Sequence, residues 1–191
     1  MQKIIWAILK RTPNTNIIFN LRKWYLVKYH KFELSKNVKI GKNFIFKDEI
    51  KVVIGNNTIL GNNITIRKDK SNSKSTLFIG KNTLILNNTK FDCTGNIKIG
   101  NKCHIGRNVV IYSHLHEHRN NTLEPRYQPI TVKDVSIRDG AILYEEVVIM
   151  PNTIIGKNVV IGLRSIVTKK FTIPNCVVAG IPAKIVGNRF D

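Results

Sequence analysis

From Ile137 onward every sixth residue is a large aliphatic: Ile137, Leu143, Ile149, Ile155, Ile161 and Val167. Glycine follows two of them at once, at Gly156 and Gly162. A period of six is neither the 3.6 of a helix nor the alternation of a simple strand ladder. It suits a solenoid in which each six-residue unit turns one corner and buries one side chain. Each such burial is worth roughly 1.5–3 kcal/mol, so the row is a core in itself.

The same rhythm reaches back toward the start of the chain. It opens irregularly at Ile40-Gly41, then runs through Ile54, Leu60 and Ile66, through Ile79, Ile85 and Phe91, and through Ile99, Ile105 and Ile111. Corner triplets such as Gly55-Asn56-Asn57 and Gly106-Arg107-Asn108 recur between these aliphatics. Gly and Asn tolerate the tight backbone that corners need. Three units per turn gives roughly five to six triangular coils. Three breaks interrupt the period: a polar stretch at Arg67–Thr76, a two-residue offset before Ile99, and the long segment Tyr112–Val135.

The first 32 residues differ from the rest: Lys3, Lys10, Arg11, Arg22, Lys23, Lys28 and Lys31 face no acid there. Ile4, Ile5, Ile8 and Leu9 have helical spacing, as do Leu21, Trp24, Tyr25 and Val27, and Thr12-Pro13 is a place for one helix to stop and another to start. Two roles are open to this basic amphipathic segment. It can cap the open end of the solenoid, or lie on an anionic membrane surface, and one helix could do both.

Composition narrows the function classes. The formal net charge is +19, from 31 Lys+Arg against 12 Asp+Glu. That balance favours polyanionic partners such as phosphate-bearing molecules or an acidic membrane. Nucleic acid is not expected, because no helix-turn-helix, zinc-finger or RNP pattern occurs. No run of 18 apolar residues is present, and the short apolar run Ile4–Leu9 lacks a small-residue cleavage site. Cys93, Cys103 and Cys176 are odd in number and form no CxxC pair, which reads as reduced thiols in a cytoplasmic protein.

The segment Tyr112–Val135 concentrates the chemistry. His114, His116 and His118 lie within it and His104 just before it. A long loop in a regular solenoid points to function, and histidine is the natural proton acceptor near neutral pH. The alternating His114, His116 and His118 could also put three imidazoles on one side of a strand as zinc ligands.

Three stretches resemble the hexapeptide-repeat acyltransferases of the left-handed β-helix class, especially the O-acetyltransferases of maltose, galactosides and surface polysaccharides. They are Ile105–His116, the hexapeptides from Ile137, and Val160–Gly187. The resemblance covers about residues 38–187 and implies an all-β fold, a left-handed parallel β-helix, which divides the chain into the helical extension read above at 1–35, a β-helix at 36–187 with an active loop at 112–135, and a tail at 188–191. It implies acetyl-CoA as co-substrate, no required metal, a saccharide hydroxyl as acceptor, and a homotrimer with CoA sites between subunits.

Counting five residues from Ile111, as the family does, assigns the general base to His116, with His114 second. Matching positions for acetyl-CoA are Asp139, Leu163, Ser165, Thr168, Lys169, Gly180, Pro182 and Lys184. One departure is that Val135-Ser136-Ile137-Arg138-Asp139 replaces the family's usual Asn-Val-Trp-Ile-Gly rung. For the acceptor, Asn87, Asn88 and Asp92 are the nearest matches, and Arg119, Glu124 and Arg126 in the loop could bind sugar or phosphate. The zinc-dependent anhydrases of the same fold use a ligand pattern that this loop lacks, so metal catalysis is not expected. The other readings are an N-acyltransferase on an amino sugar, an antibiotic acetyltransferase, and a non-catalytic scaffold at the inner face of the membrane.

Overall fold

The computed structural model describes residues 2–47, 49–69 and 74–191. Residues 70–73 of the expected polar loop lie outside them.

Two helices, α1 (Gln2–Leu9) and α2 (Asn16–His30), precede a parallel β-solenoid with three faces. The first face stacks Glu33–Leu34, Ile50–Ile54, Ser75–Ile79, Ile97–Ile99, Val135–Ile137 and Ile154–Ile155. The second runs from Lys39–Ile40 through Ile59–Leu60, Leu84–Ile85, His104–Ile105, Ile142–Leu143 and Val160–Ile161 to a closing hairpin, Cys176–Gly180 with Ala183–Asn188. The third holds Thr65–Arg67, Lys90–Asp92, Val110–Tyr112, Val148–Ile149 and Ile166–Val167.

The period-six aliphatics stack in register. Ile54, Ile79, Ile99, Ile137 and Ile155 form one inward column, because neighbouring coils pair these residues directly. Leu60, Ile85, Ile105, Leu143 and Ile161 form the second. Ile66, Phe91, Ile111, Ile149 and Val167 form the third. All are essentially inaccessible to solvent. Neighbouring coils stand about 4.8 Å apart, the strand spacing of any sheet.

The corners explain the Gly and Asn triplets. Asn57, Asn63, Asn82, Asn108 and Asn158 sit in the left-handed region, with φ between 54° and 59°. Asn enters that region more cheaply than other side chains except glycine. Their carboxamides then bond coil to coil: Asn43 donates to Asn63 at 2.9 Å, Asn63 to Asn88 at 2.8 Å and Asn88 to Asn108 at 3.0 Å. A Cβ on Gly61 would stand 2.4 Å from Asn87 Oδ1, so this corner closes only around glycine.

The three breaks read from the sequence fall on one edge of the prism, where the third face turns into the first. The chain crosses it between Arg67 and Ser75, between Asp92 and Ile97, and between Tyr112 and Val135. At the third crossing His114–His116 pairs antiparallel with Ile130–Val132, so the expected active loop is a protruding hairpin that carries a short 3-10 turn at Pro125–Tyr127. Ser113 fixes its base: its Oγ accepts from Gly95 N–H at 2.8 Å and donates to the Asp92 carbonyl. Gly95 is needed there, since a Cβ would lie 2.8 Å from Val132 Cγ1.

The helices pack on the start of the solenoid. α2 begins at Asn16, not at Pro13, because Thr15 caps it, accepting from Ile18 N–H at 3.2 Å. Tyr25 and Leu26 are buried, and Trp6 of α1 stacks on Tyr25 at 5.1 Å beside Phe44 and Phe46. Arg22 is fully buried and donates to the carbonyls of Leu9 (2.9 Å), Ile40 (2.9 Å) and Thr12 and to Asn14 Oδ1 (2.7 Å). One guanidinium thus ties α1, the connection and the first coil together. Among the described residues no helix is long and apolar enough to cross a membrane. The three cysteines are free and buried, and burial pushes the Cys103 thiol up to about 11.

Two substitutions test these supports. Arg22→Ala strands the buried carbonyls of Leu9 and Ile40 and the partly buried one of Thr12, and lowers stability by about 3 kcal/mol in a denaturant melt. Gly95→Ala crowds the hairpin base at a cost of about 1–3 kcal/mol, and limited proteolysis within 117–129 becomes faster.

Candidate active site

The edge where the rhythm breaks gathers the polar side chains. Three successive coils bring Asp69, then Asp92 and Thr94, then His114 and His116 to it. His114 and His116 share one side of the hairpin strand, as residues two apart must, with ring centroids 5.2 Å apart.

His114 is the more constrained. Its side chain is 9% exposed, and its Nδ1 lies 2.8 Å from Asp92 Oδ1. Thr94 Oγ1 donates to the same carboxylate oxygen at 2.8 Å and accepts from Asp69 N–H at 3.0 Å. With Asp92 ionised, Nδ1 carries the proton and Nε2 the lone pair. His116 is 62% exposed, and its Nε2 stands 3.7 Å from Asp69 Oδ2. The strand ends at His116; His118 lies beyond it, exposed, and His104 is exposed on the second face.

Beside the histidines, Asp92 also lines a pocket of about 270 Å³ on the third face, with Arg67, Lys90 and Tyr112. A basic groove lies on the first face, lined by Lys98, Ser136, Arg138, Asp139 and Lys157. The hairpin leaves the prism between these two faces.

The expected acceptor residues separate. Asp92 sits in the cluster, oriented onto His114. Asn87 and Asn88 are corner residues instead: Asn87 Oδ1 accepts from Asn62 N–H at 2.8 Å, and Asn88 belongs to the carboxamide ladder. Arg126 is exposed on the hairpin, paired with Glu124 at 3.1 Å and stacked on Tyr127, and Arg119 is exposed in the same loop.

The expected CoA positions lie on different edges of one chain. Thr168 and Lys169, both exposed, follow the third-face strand Ile166–Val167, so they share the histidine edge two coils farther on. Asp139 turns the first face into the second, where its carboxylate accepts from Asn101 N–H at 2.8 Å and from Asn101 Nδ2 at 3.1 Å. That backbone N–H holds the Asp139 carboxyl below the usual carboxylate range. Leu163 is exposed on the remaining edge. Ser165 is buried and accepts from Gly180 N–H at 3.0 Å. Gly180, Pro182 and Lys184 are exposed at the turn of the closing hairpin.

Sequence reasoning missed Asp69 and Thr94. The only signal for either was position: both fall in breaks of the six-residue period.

No protein-family model matches the chain. The chain is 31% identical over 121 residues to the putative lipopolysaccharide biosynthesis O-acetyl transferase WbbJ of Escherichia coli K12. The match spans 59% of this chain and 61% of that one, so it covers about three fifths of the relative's length. Among solved structures, a mutant of AntD, an N-acyltransferase from Bacillus cereus in complex with dTDP and coenzyme A, superposes with a TM-score of 0.73 at 20% identity, covering 95% of this chain and 92% of that one. The hexapeptide-repeat acetyltransferase VCA0836 of Vibrio cholerae, complexed with acetyl coenzyme A, superposes with a TM-score of 0.68 at 16% identity, over 100% and 86% of the two chains. The chain has the left-handed hexapeptide-repeat β-helix fold of these acyltransferases.

Proposed function

We propose that the protein is an acetyl-CoA-dependent O-acetyltransferase acting on a saccharide hydroxyl. The observation that carries this reading is the Asp92–His114 pair, at 2.8 Å, with Asp92 also lining a small polar pocket, and with a basic groove on the adjoining first face. The likeness to WbbJ supports a saccharide acceptor, and the CoA complexes of AntD and VCA0836 support the donor.

A sugar hydroxyl is far too weak an acid to ionise freely at neutral pH, so it needs a base as it attacks. His114 Nε2 takes the hydroxyl proton while the oxygen attacks the thioester carbonyl. The tetrahedral intermediate collapses, the C–S bond breaks, and the imidazolium returns the proton to the CoA thiolate. Asp92 holds the tautomer and stabilises the imidazolium, as the carboxylate does in a Ser-His-Asp triad. The count from Ile111 favours His116; the carboxylate partner favours His114. An amino sugar is the alternative acceptor, favoured by the likeness to AntD, an N-acyltransferase.

The reading includes a homotrimer. The CoA candidates lie on separate edges of one chain, which favours a site between subunits over one on a single chain. It also includes an anionic membrane surface as a partner of the helices. Ile4 and Ile8 of α1, and Ile17, Leu21 and Trp24 of α2, stay exposed among Lys3, Lys10, Arg11, Lys23 and Lys28. Apolar anchors amid basic residues are the pattern of interfacial helices. On this reading the enzyme works at the cytoplasmic face of the membrane.

Acetyl transfer to hydroxy and amino sugars, followed by mass spectrometry and thiol release, tests the chemistry. His114→Ala lowers kcat by about 10²–10⁴-fold, and Asp92→Asn lowers it less. Unchanged kcat in His114→Ala with a large loss in His116→Ala returns the base to His116. Sedimentation tests the membrane reading: the protein pellets with phosphatidylserine-containing vesicles, stays in solution with pure phosphatidylcholine, and is released by the double change Ile17→Glu and Trp24→Glu.

A further inference from the structure

Three ligand atoms converge where the polar loop meets the hairpin. His114 Nε2 lies 3.6 Å and His116 Nε2 3.7 Å from the same oxygen, Asp69 Oδ2. All three atoms fall within 4.8 Å of one another. Tetrahedral Zn²⁺ with N and O donors at about 2.0–2.1 Å sets those donors roughly 3.3–3.4 Å apart. Two of the three separations are already within a few tenths of an ångström of that value.

The charges argue the same way. With Nδ1–H given to Asp92, His114 turns a lone pair toward a carboxylate, and His116 points Nε2 at the same oxygen. A cation at the centre would be held by both ring nitrogens and the carboxylate oxygen. His114 also has the outer partner that metal-bound histidines use, a carboxylate on the far ring nitrogen. That carboxylate is itself held by Thr94. Two imidazoles and one carboxylate suit zinc better than the oxygen-seeking Mg²⁺ or Ca²⁺. As a third donor the geometry offers Asp69 from another coil in place of His118.

We propose that Asp69, His114 and His116 form a Zn²⁺ site whose occupation switches acyl transfer off. The metal takes the Nε2 lone pair that proton removal needs, so metal and reaction compete for one atom. The inhibitory half of this proposal rests on the general-base reading above; the binding half does not.

The test titrates chelator-treated full-length protein with Zn²⁺ alone by calorimetry near neutral pH. One ion per chain binds with a Kd tighter than about 10 µM. Asp69→Asn and His116→Gln each weaken binding at least tenfold, and unchanged far-UV circular dichroism shows that both variants fold. Co²⁺ in place of Zn²⁺ gives the intense visible bands of a tetrahedral site. Absence of saturable binding, or binding untouched by both substitutions, overturns the site. In a parallel assay Zn²⁺ inhibits acetyl transfer and a chelator restores it. Stoichiometric binding without inhibition overturns the switch, whereas loss of the base reading shows separately, as full activity in His114→Ala without metal.

Discussion

The stacking of identical rungs constrains everything else in this molecule. Each inward aliphatic lies directly above its counterpart one coil away, as Ile54, Ile79, Ile99, Ile137 and Ile155 do. An extra residue in any rung would rotate the following side chains out of the core. Additions are therefore tolerated only at corners, and among the described residues the larger ones fall on one edge, with a single extra residue at the last first-to-second corner, between Phe171 and Val178. The other two edges are held by tight αL turns and, along much of their length, by coil-to-coil carboxamide bonds such as Asn43–Asn63–Asn88–Asn108. Functional variety is confined to the third edge by the same packing that makes the prism rigid.

Rigidity matters to the chemistry proposed there. His114 is placed by a strand that leaves the core at Ile111, and Asp92 by a strand that pairs with it at Phe91–Ile111. The two side chains therefore inherit their separation from sheet spacing, not from a flexible loop. Ser113 and Gly95 lock the turn between them. A base positioned this way meets its substrate without first having to be ordered.

Much of this was legible in the chain. The period of six, the Gly-Asn corners and the three breaks predict the prism and its coils, and the resemblance to hexapeptide-repeat acyltransferases predicts its hand. The site was legible only in part. Counting from Ile111 reaches His116, but the carboxylate that orients an imidazole belongs to another coil, and linear spacing carries no record of which coil that is. Asn87 and Asn88 fit the resemblance by residue type, yet each is consumed by a corner. Asp69 sits in a stretch rich in Lys and Ser that reads as solvated filler, and only the stacking of coils brings it to the histidines.

The same geometry bears on assembly. A prism keeps its edges apart, because its core fills the space between them. Thr168 and Lys169 lie on the histidine edge, while Asp139 and Leu163 lie on the other two. No bending of a packed solenoid brings these edges together, since that would open the aliphatic columns. If all four contact one CoA, as the resemblance implies, the ligand lies between copies of the chain, with the three edges drawn from more than one copy. Cyclic symmetry then repeats the arrangement around the ring. The basic groove of Lys98, Arg138 and Lys157 suits the phosphates of such a bridging ligand.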